Sequence, residues 1–170
     1  QAKELGRTTA FSASQAADGM KFLSMAGFDA QETMAAMPGV LALAAASQTD
    51  LATSADIASN ILSGLGLKAE ETGRLVDVMA KATASSNMDV IEMGEAFKMV
   101  APMADVANLS MEGMSAIIGK MADAGIKGTM AGTGLKAAIS RMLDPTKKMQ
   151  VAMDNLGISI KNPDSNMKNF

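Results

Sequence analysis

Between Met114 and Leu143 the chain writes the same helical signature twice, and glycine stands between the two copies. Met114, Ile117, Ile118, Met121 and Ala122 recur at i, i+3, i+4, i+7 and i+8, which places them on one face of a helix capped by Ser110. Gly125 ends that helix. Leu135, Ala138, Ile139, Met142 and Leu143 repeat the spacing, with Thr129 or Thr133 as the expected start. A chain built this way folds as short helices that turn back on one another, because each apolar stripe must find another to cover it.

The rest of the sequence follows the same rule. Ser14 is placed to cap a helix running to about Ala26 with Gly27 beyond it, and Ala16, Met20 and Leu23 share its face. Asp29 and Glu32 have capping-box spacing for a short second helix, which Pro38 is expected to end and a third helix to follow as far as Ser47. Ser47 and Asp50 suggest another box, before a helix that aligns Leu51, Ala55, Ala58 and Leu62 and closes at Gly64 and Gly66. Glu70 and Glu71 open the next, whose inner face is Leu75, Val78, Met79 and Ala82. A helix from near Asp89 turns Val90, Met93, Phe97 and Val100 inward, with Pro102 kinking or ending it. Asp144 and Pro145 are expected to open a last helix carrying Met149, Ala152, Met153 and Leu156, and Ile158 and Ile160 suggest a short extended piece after Gly157. The fold class is all-α, a compact bundle of about eight short helices in one domain over residues 1–170.

Composition narrows the chemistry. With 17 Met, 5 Phe and no Trp, Tyr, His or Cys, alanine, leucine and methionine must fill the core. The missing His and Cys remove the commonest general base, the thiolate nucleophile and any disulfide, which weighs against an enzyme. A formal charge of -3 with scattered basic residues argues against sequence-specific nucleic-acid binding. Met34 to Ala46, 13 residues broken by Pro38 and Gly39, falls short of the roughly 20 residues a bilayer span needs. The N-terminus lacks the plan of a signal peptide and an initiator Met, so the chain is expected to be a segment of something longer.

The glycine-rich stretch GIKGTMAGTGLK invites a phosphate-loop reading, but five residues after Gly128 stands Thr133 and no strand precedes. Gly128 and Gly132 form a GxxxG, and with Ala131 they are read as small residues that let one helix start lie tightly against a neighbour. Asp18, Asp56, Asp77 and Glu92 lie nearest the apolar stripes; the simplest role for each is a cap or an ion pair, Asp77 with Arg74. Three helix ends share a glycine, a large apolar residue and a polar helix start, at Gly27, Gly66 and Gly125. Their separations of 39 and 59 argue against a solenoid and for shared turn chemistry.

The elements QAADGMKFLSMAGFDAQET from Gln15, MPGVLALAAASQTDLATSADIASNIL from Met37, RLVDVMAKATASS from Arg74 and FKMVAPMADVANLSMEGMSAIIGKMADAGIKGTMAGTGLKAAISRMLDP from Phe97 occur in a distinctive order. In that order the chain resembles, over about residues 8 to 160, the conserved region of phage tail tape measure proteins of the widespread type first described in lactococcal phages. Ala55, Asp56, Asp77, Ala104, Gly125, Ile126, Ala131 to Thr133 and Pro145 match residues characteristic of that family. Methionine at many apolar positions, and Gly134 where a larger residue is expected, depart from it.

The resemblance implies a structural virion protein in the tail lumen or at the tail tip, assembled in the host cytoplasm, with no catalytic role and no cofactor or metal. Tube subunits polymerise around a tape measure protein, its length sets the tail length, and it leaves during DNA ejection. The implied partners are other copies of itself, tail tube proteins, tail-tip or baseplate hub proteins, and the host membrane during ejection. One continuous helix of 170 residues would reach about 255 Å, but the glycine and proline breaks cut this chain into pieces of a few turns. The segment is therefore expected to be a domain that anchors or packs the tape measure rather than the extended ruler. The alternative is a membrane-active channel domain formed by Met34 to Ala46 and Ile117 to Leu143. In either case the segment's expected structural and packing motif comprises Gly27, Asp56, Asp77, Gly125, Ile126, Gly128, Ala131, Gly132, Thr133 and Pro145.

Overall fold

The computed structural model describes residues 2–157, and the extended piece expected at Ile158 and Ile160 lies outside them. Polar caps decide where most helices begin. The order is α1 (Ala2–Thr8), α2 (Ala13–Met25), α3 (Ala30–Ser47), α4 (Leu51–Gly64), a 3₁₀ turn (Ala69–Glu71), α5 (Thr72–Ala84), α6 (Val90–Ala107), α7 (Met111–Asp123), α8 (Gly128–Leu143) and α9 (Lys147–Asn155). These nine helices, with no strand among the described residues, make an all-α fold.

Several boundaries match the capping rules and several do not. Asp29 and Glu32 form the expected box, the Asp29 carboxylate accepting the Glu32 amide at 2.9 Å while Glu32 accepts the Asp29 amide at 2.8 Å. Ser110 caps α7 through the Gly113 amide. Ser12, rather than Ser14, caps α2, because a reciprocal box needs Glu or Gln three residues on and Gln15 supplies it. Asp50 caps α4 alone through the Thr53 amide, while the Ser47 hydroxyl bonds back to the Leu43 carbonyl instead. Neither Thr129 nor Thr133 starts α8, whose cap position is Lys127, with no side-chain capping bond to the helix. Asp144 closes α8 through its amide to the Ser140 carbonyl, and Thr146 caps α9, so Pro145 sits between helices rather than inside the last one. The short helix α1 carries no strong sequence signal.

Pro38 does not end its helix. α3 runs unbroken for 18 residues because Ala36, Met37, Val40 and Leu41 are buried on one side while Pro38 faces outward, so packing offsets the ladder bond that proline cannot donate. Pro102 likewise lies inside α6.

The helices stack in two layers, α2–α4–α6–α8 and α3–α5–α7, in which each helix packs mainly on those two places before or after it in the chain. The first residues of α2, α4, α6 and α8 follow one another at 38, 39 and 38 residues. The chain is thus a run of helix pairs of nearly constant length. The unequal glycine spacing hides this, because Gly27 and Gly66 end helices of the first layer whereas Gly125 ends α7 of the second. The core is built as the composition requires: one buried aromatic, Phe97, shares a single cluster with leucines, isoleucines, methionines such as Met37, Met79, Met93 and Met114, and many alanines.

Candidate functional site

The three glycine turns are one device. At each, the amide of the apolar residue after the glycine reaches back five positions to a helix carbonyl: Phe28 to Leu23 at 3.1 Å, Leu67 to Leu62 at 2.8 Å and Ile126 to Met121 at 2.9 Å. Gly27, Gly66 and Gly125 have φ of +97°, +63° and +85°, the left-handed region in which a Cβ is strained. Asn108 makes the same turn after α6, with the Leu109 amide on the Ala104 carbonyl at 2.9 Å. Shared turn chemistry therefore accounts for the likeness of these helix ends.

Small residues then set how closely the first layer stacks. A Cβ on Gly19 would meet Leu51, and one on Gly94 would meet Ile57, each at 3.0 Å. The tightest approach is α8 on α6, where a Cβ on Gly132 would fall on the carbonyl oxygen of Ala96 and within 2.8 Å of its Cα. Ala131 beside it is fully buried. Gly134 leaves room for the Met121 methyl, 3.2 Å from where its Cβ would stand.

Around this joint lies a polar latch. The Lys127 ammonium sits 3.5 Å from the Glu92 carboxylate and donates to the Asn87 side-chain oxygen at 3.4 Å, while the Asn87 amide donates to Asp123 at 3.0 Å. That last bond, with Lys120 adding to it, lowers the Asp123 pKa below the ordinary carboxylate range. The start of α8, the end of α7 and the α5–α6 connection are so tied together. Sequence reading missed this latch, because its members are far apart in the chain; the only local signal is a lysine standing where a cap residue is expected.

Of the expected motif residues, Gly125, Ile126, Gly128, Ala131 and Gly132 gather at this joint, although Ile126 is only half-covered and Thr133 is exposed. Asp56 sits apart and joins α4 to α6: its carboxylate accepts from Lys98 at 2.7 Å and from Asn60 at 2.9 Å. The Asp56 hydrogen bond raises the Lys98 pKa against the opposing effect of burial. Gly27 belongs to the α2–α3 turn and Pro145 to the end of α8. Asp77 faces solvent and does not pair with Arg74, whose guanidinium instead forks onto Glu112 of α7 at 2.8 and 2.9 Å and reaches Glu71 at 3.0 Å. Glu112 supplies a planar two-oxygen acceptor that matches the fork, which outweighs proximity along one helix.

The arrangement packs helices. Among the described residues no group of three or more His, Cys, Asp or Glu side chains could hold a metal ion, and no helix is long and apolar enough to cross a membrane. Met34 to Ala46 belongs to α3 against the core, and Ile117 to Leu143 is interrupted by the turn at Gly125.

A family model described as phage-related minor tail protein matches residues 1–170. The chain belongs to that family. Its relatives include a tape measure protein of Pneumococcus phage Dp-1, 49% identical over 98% of this chain. Another is a probable tape measure protein of Escherichia phage P2, 32% identical over 99% of this chain. The chain spans 14% and 21% of the lengths of these two relatives. No solved structure matches. The family is described as a tail protein, and both relatives come from phages.

Proposed function

We propose that this segment is a folded helical module of a tape measure protein, one that anchors or packs the tape measure within the tail, at its tip, while the length of the tail is set by extended helices elsewhere in the polypeptide. The observation that carries this reading is the fold itself. The longest helices have 18 residues, about 27 Å each, and successive helices double back into two layers. Such a body adds little length per residue, so it makes a poor ruler and a good plug or foot.

In this reading the partners are other copies of the chain, tail tube subunits and tail-tip or baseplate hub proteins, and the module leaves with the tape measure during DNA ejection. No cofactor, metal or catalytic step is involved. The short stacked helices and their glycine joints support packing, and nothing in the site favours a channel through a membrane.

In-frame deletions separate the roles. Removing whole turns from flanking helices should shorten tails in proportion to the residues lost, measured by electron microscopy of negatively stained virions. Removing the α4–α5 pair should instead abolish tail assembly or ejection. Tails that shorten in proportion when this segment is cut would overturn the anchor reading.

A further inference from the structure

The first-layer helices share more than an interval. Counted from the first residues Leu51, Val90 and Gly128, the fifth residue of α4, α6 and α8 is Ala55, Gly94 and Gly132, small and buried each time. The seventh residue of each helix receives the next helix of the layer. Gly94 stands against Ile57, the seventh residue of α4, and Gly132 against Ala96, the seventh of α6. Gly19 is the seventh of α2, and Leu51, one turn before Ala55, stands against it. The starts of α4 and α6 are alike as well, since Asp50 accepts the Thr53 amide and Asp89 the Glu92 amide, each three residues on. One joint is thus made three times with different side chains.

We infer that the helix pair is an interchangeable unit of this fold: one whole pair can be taken out and the stack closes again in register. In a stack of this kind each unit is held by its neighbours alone, so what matters is that the two faces brought together form the same joint. Removing Leu51 to Asp89, which carries α4 and α5, puts Asp50 in the place of Asp89 as the cap of α6, with Glu92 still three residues on. α6 then lies on α2, with Val90 taking the place of Leu51 against Gly19, and α7 lies on α3. The ion pairs lost, Asp56 with Lys98 and Arg74 with Glu112, are part-exposed and contribute little. Removing α4 alone has the opposite effect, because α5 would then follow α3 directly and fall in the wrong layer. The molecule can therefore change its span by whole pairs without a new kind of joint. The packing alone carries this inference, which stands apart from the tape measure reading.

The test compares two shortened forms of the 170-residue chain. The form lacking Leu51 to Asp89 should unfold in urea in one cooperative transition and keep the helical circular dichroism per residue of the uncut chain. The form lacking only Leu51 to Leu67 should show no such transition. Two introduced cysteines then report the register, since the chain has none of its own. Gly19→Cys with Val90→Cys should form a disulfide on mild oxidation in the pair-deleted form, where α6 lies on α2, and none in the uncut chain, where α4 stands between them. Loss of cooperative unfolding in the pair-deleted form, equal transitions in the two shortened forms, or absence of the disulfide from the pair-deleted form would each overturn the proposal. Proportionally shorter tails from a pair-deleted chain that folds would count against the anchor reading and not against this one, so the two fail separately.

Discussion

A methyl group at position 132 has nowhere to go. It would meet backbone atoms of Ala96, which cannot rotate away as a side-chain tip would, so α8 would have to lift from α6. Gly132→Ala should cost about 1–3 kcal/mol. Gly73→Ala, at a glycine of α5 with nothing within 4 Å of a built Cβ, should instead stabilise by about 0.5–1 kcal/mol through helix propensity. Urea unfolding of both variants checks the pair, and equal shifts would mean that close approach is not what selects glycine at 132. The sequence made Gly132 recognisable as a small residue beside Gly128 and Ala131, but not Ala96 as its neighbour, since local periodicity says nothing about contacts 36 residues apart. Gly134 shows the same limit: it looked too small by pattern, and only the fold reveals the Met121 methyl that takes up the space.

At the scale of the element, the sequence was legible at single strong caps such as Asp29 and Ser110, and illegible where two serines competed for one helix start or where packing overrules local preference. Asp29 with Glu32 could be read directly, whereas the start of α8 has no side-chain cap to read. Proline exposed the conflict most plainly. A helix interior loses a ladder bond at proline, yet α3 continues because residues on both sides of Pro38 are held in the core. Pro38→Ala should therefore raise the unfolding free energy by up to about 3 kcal/mol, since the helix already exists and gains a donor. Chemical denaturation measures this. A loss of stability would mean that the proline ring itself contributes packing beside Leu5 and Phe11, with which it lines a shallow groove.

For the whole molecule, pH and position in the stack should each leave a signature. The Asp50 carboxylate is held below its ordinary pKa first by the Thr53 hydroxyl, that of Glu112 by its own backbone amide and then Arg74, and that of Asp123 by the Asn87 amide. A carboxylate whose folded pKa is depressed contributes stability above its unfolded pKa and loses it as pH falls through the folded value, so loss should begin below about pH 4. With no histidine in the chain, thermal midpoints should stay level between about pH 5 and pH 8, and a drop in that window would point to a group these contacts omit. The stacking order was the part least visible in the sequence, because two of the three glycine turns end helices of the first layer and the third ends one of the second, while Asn108 stands in for glycine after α6. That order predicts how the molecule comes apart. In a stack held by nearest neighbours, a helix with partners on both sides opens only when the whole unfolds, while one at an end opens by itself. α4 lies between α2 and α6, and α6 between α4 and α8, whereas α9 has no neighbouring helix at close backbone distance and buries a single residue, Met153. Native-state hydrogen exchange should find the slowest amides in α4 and α6 and faster exchange, by at least about tenfold, in α9 and α1. Uniform protection from α1 to α9 would mean that the layers form one cooperative unit, and the order of stacking would then say nothing about the order of opening.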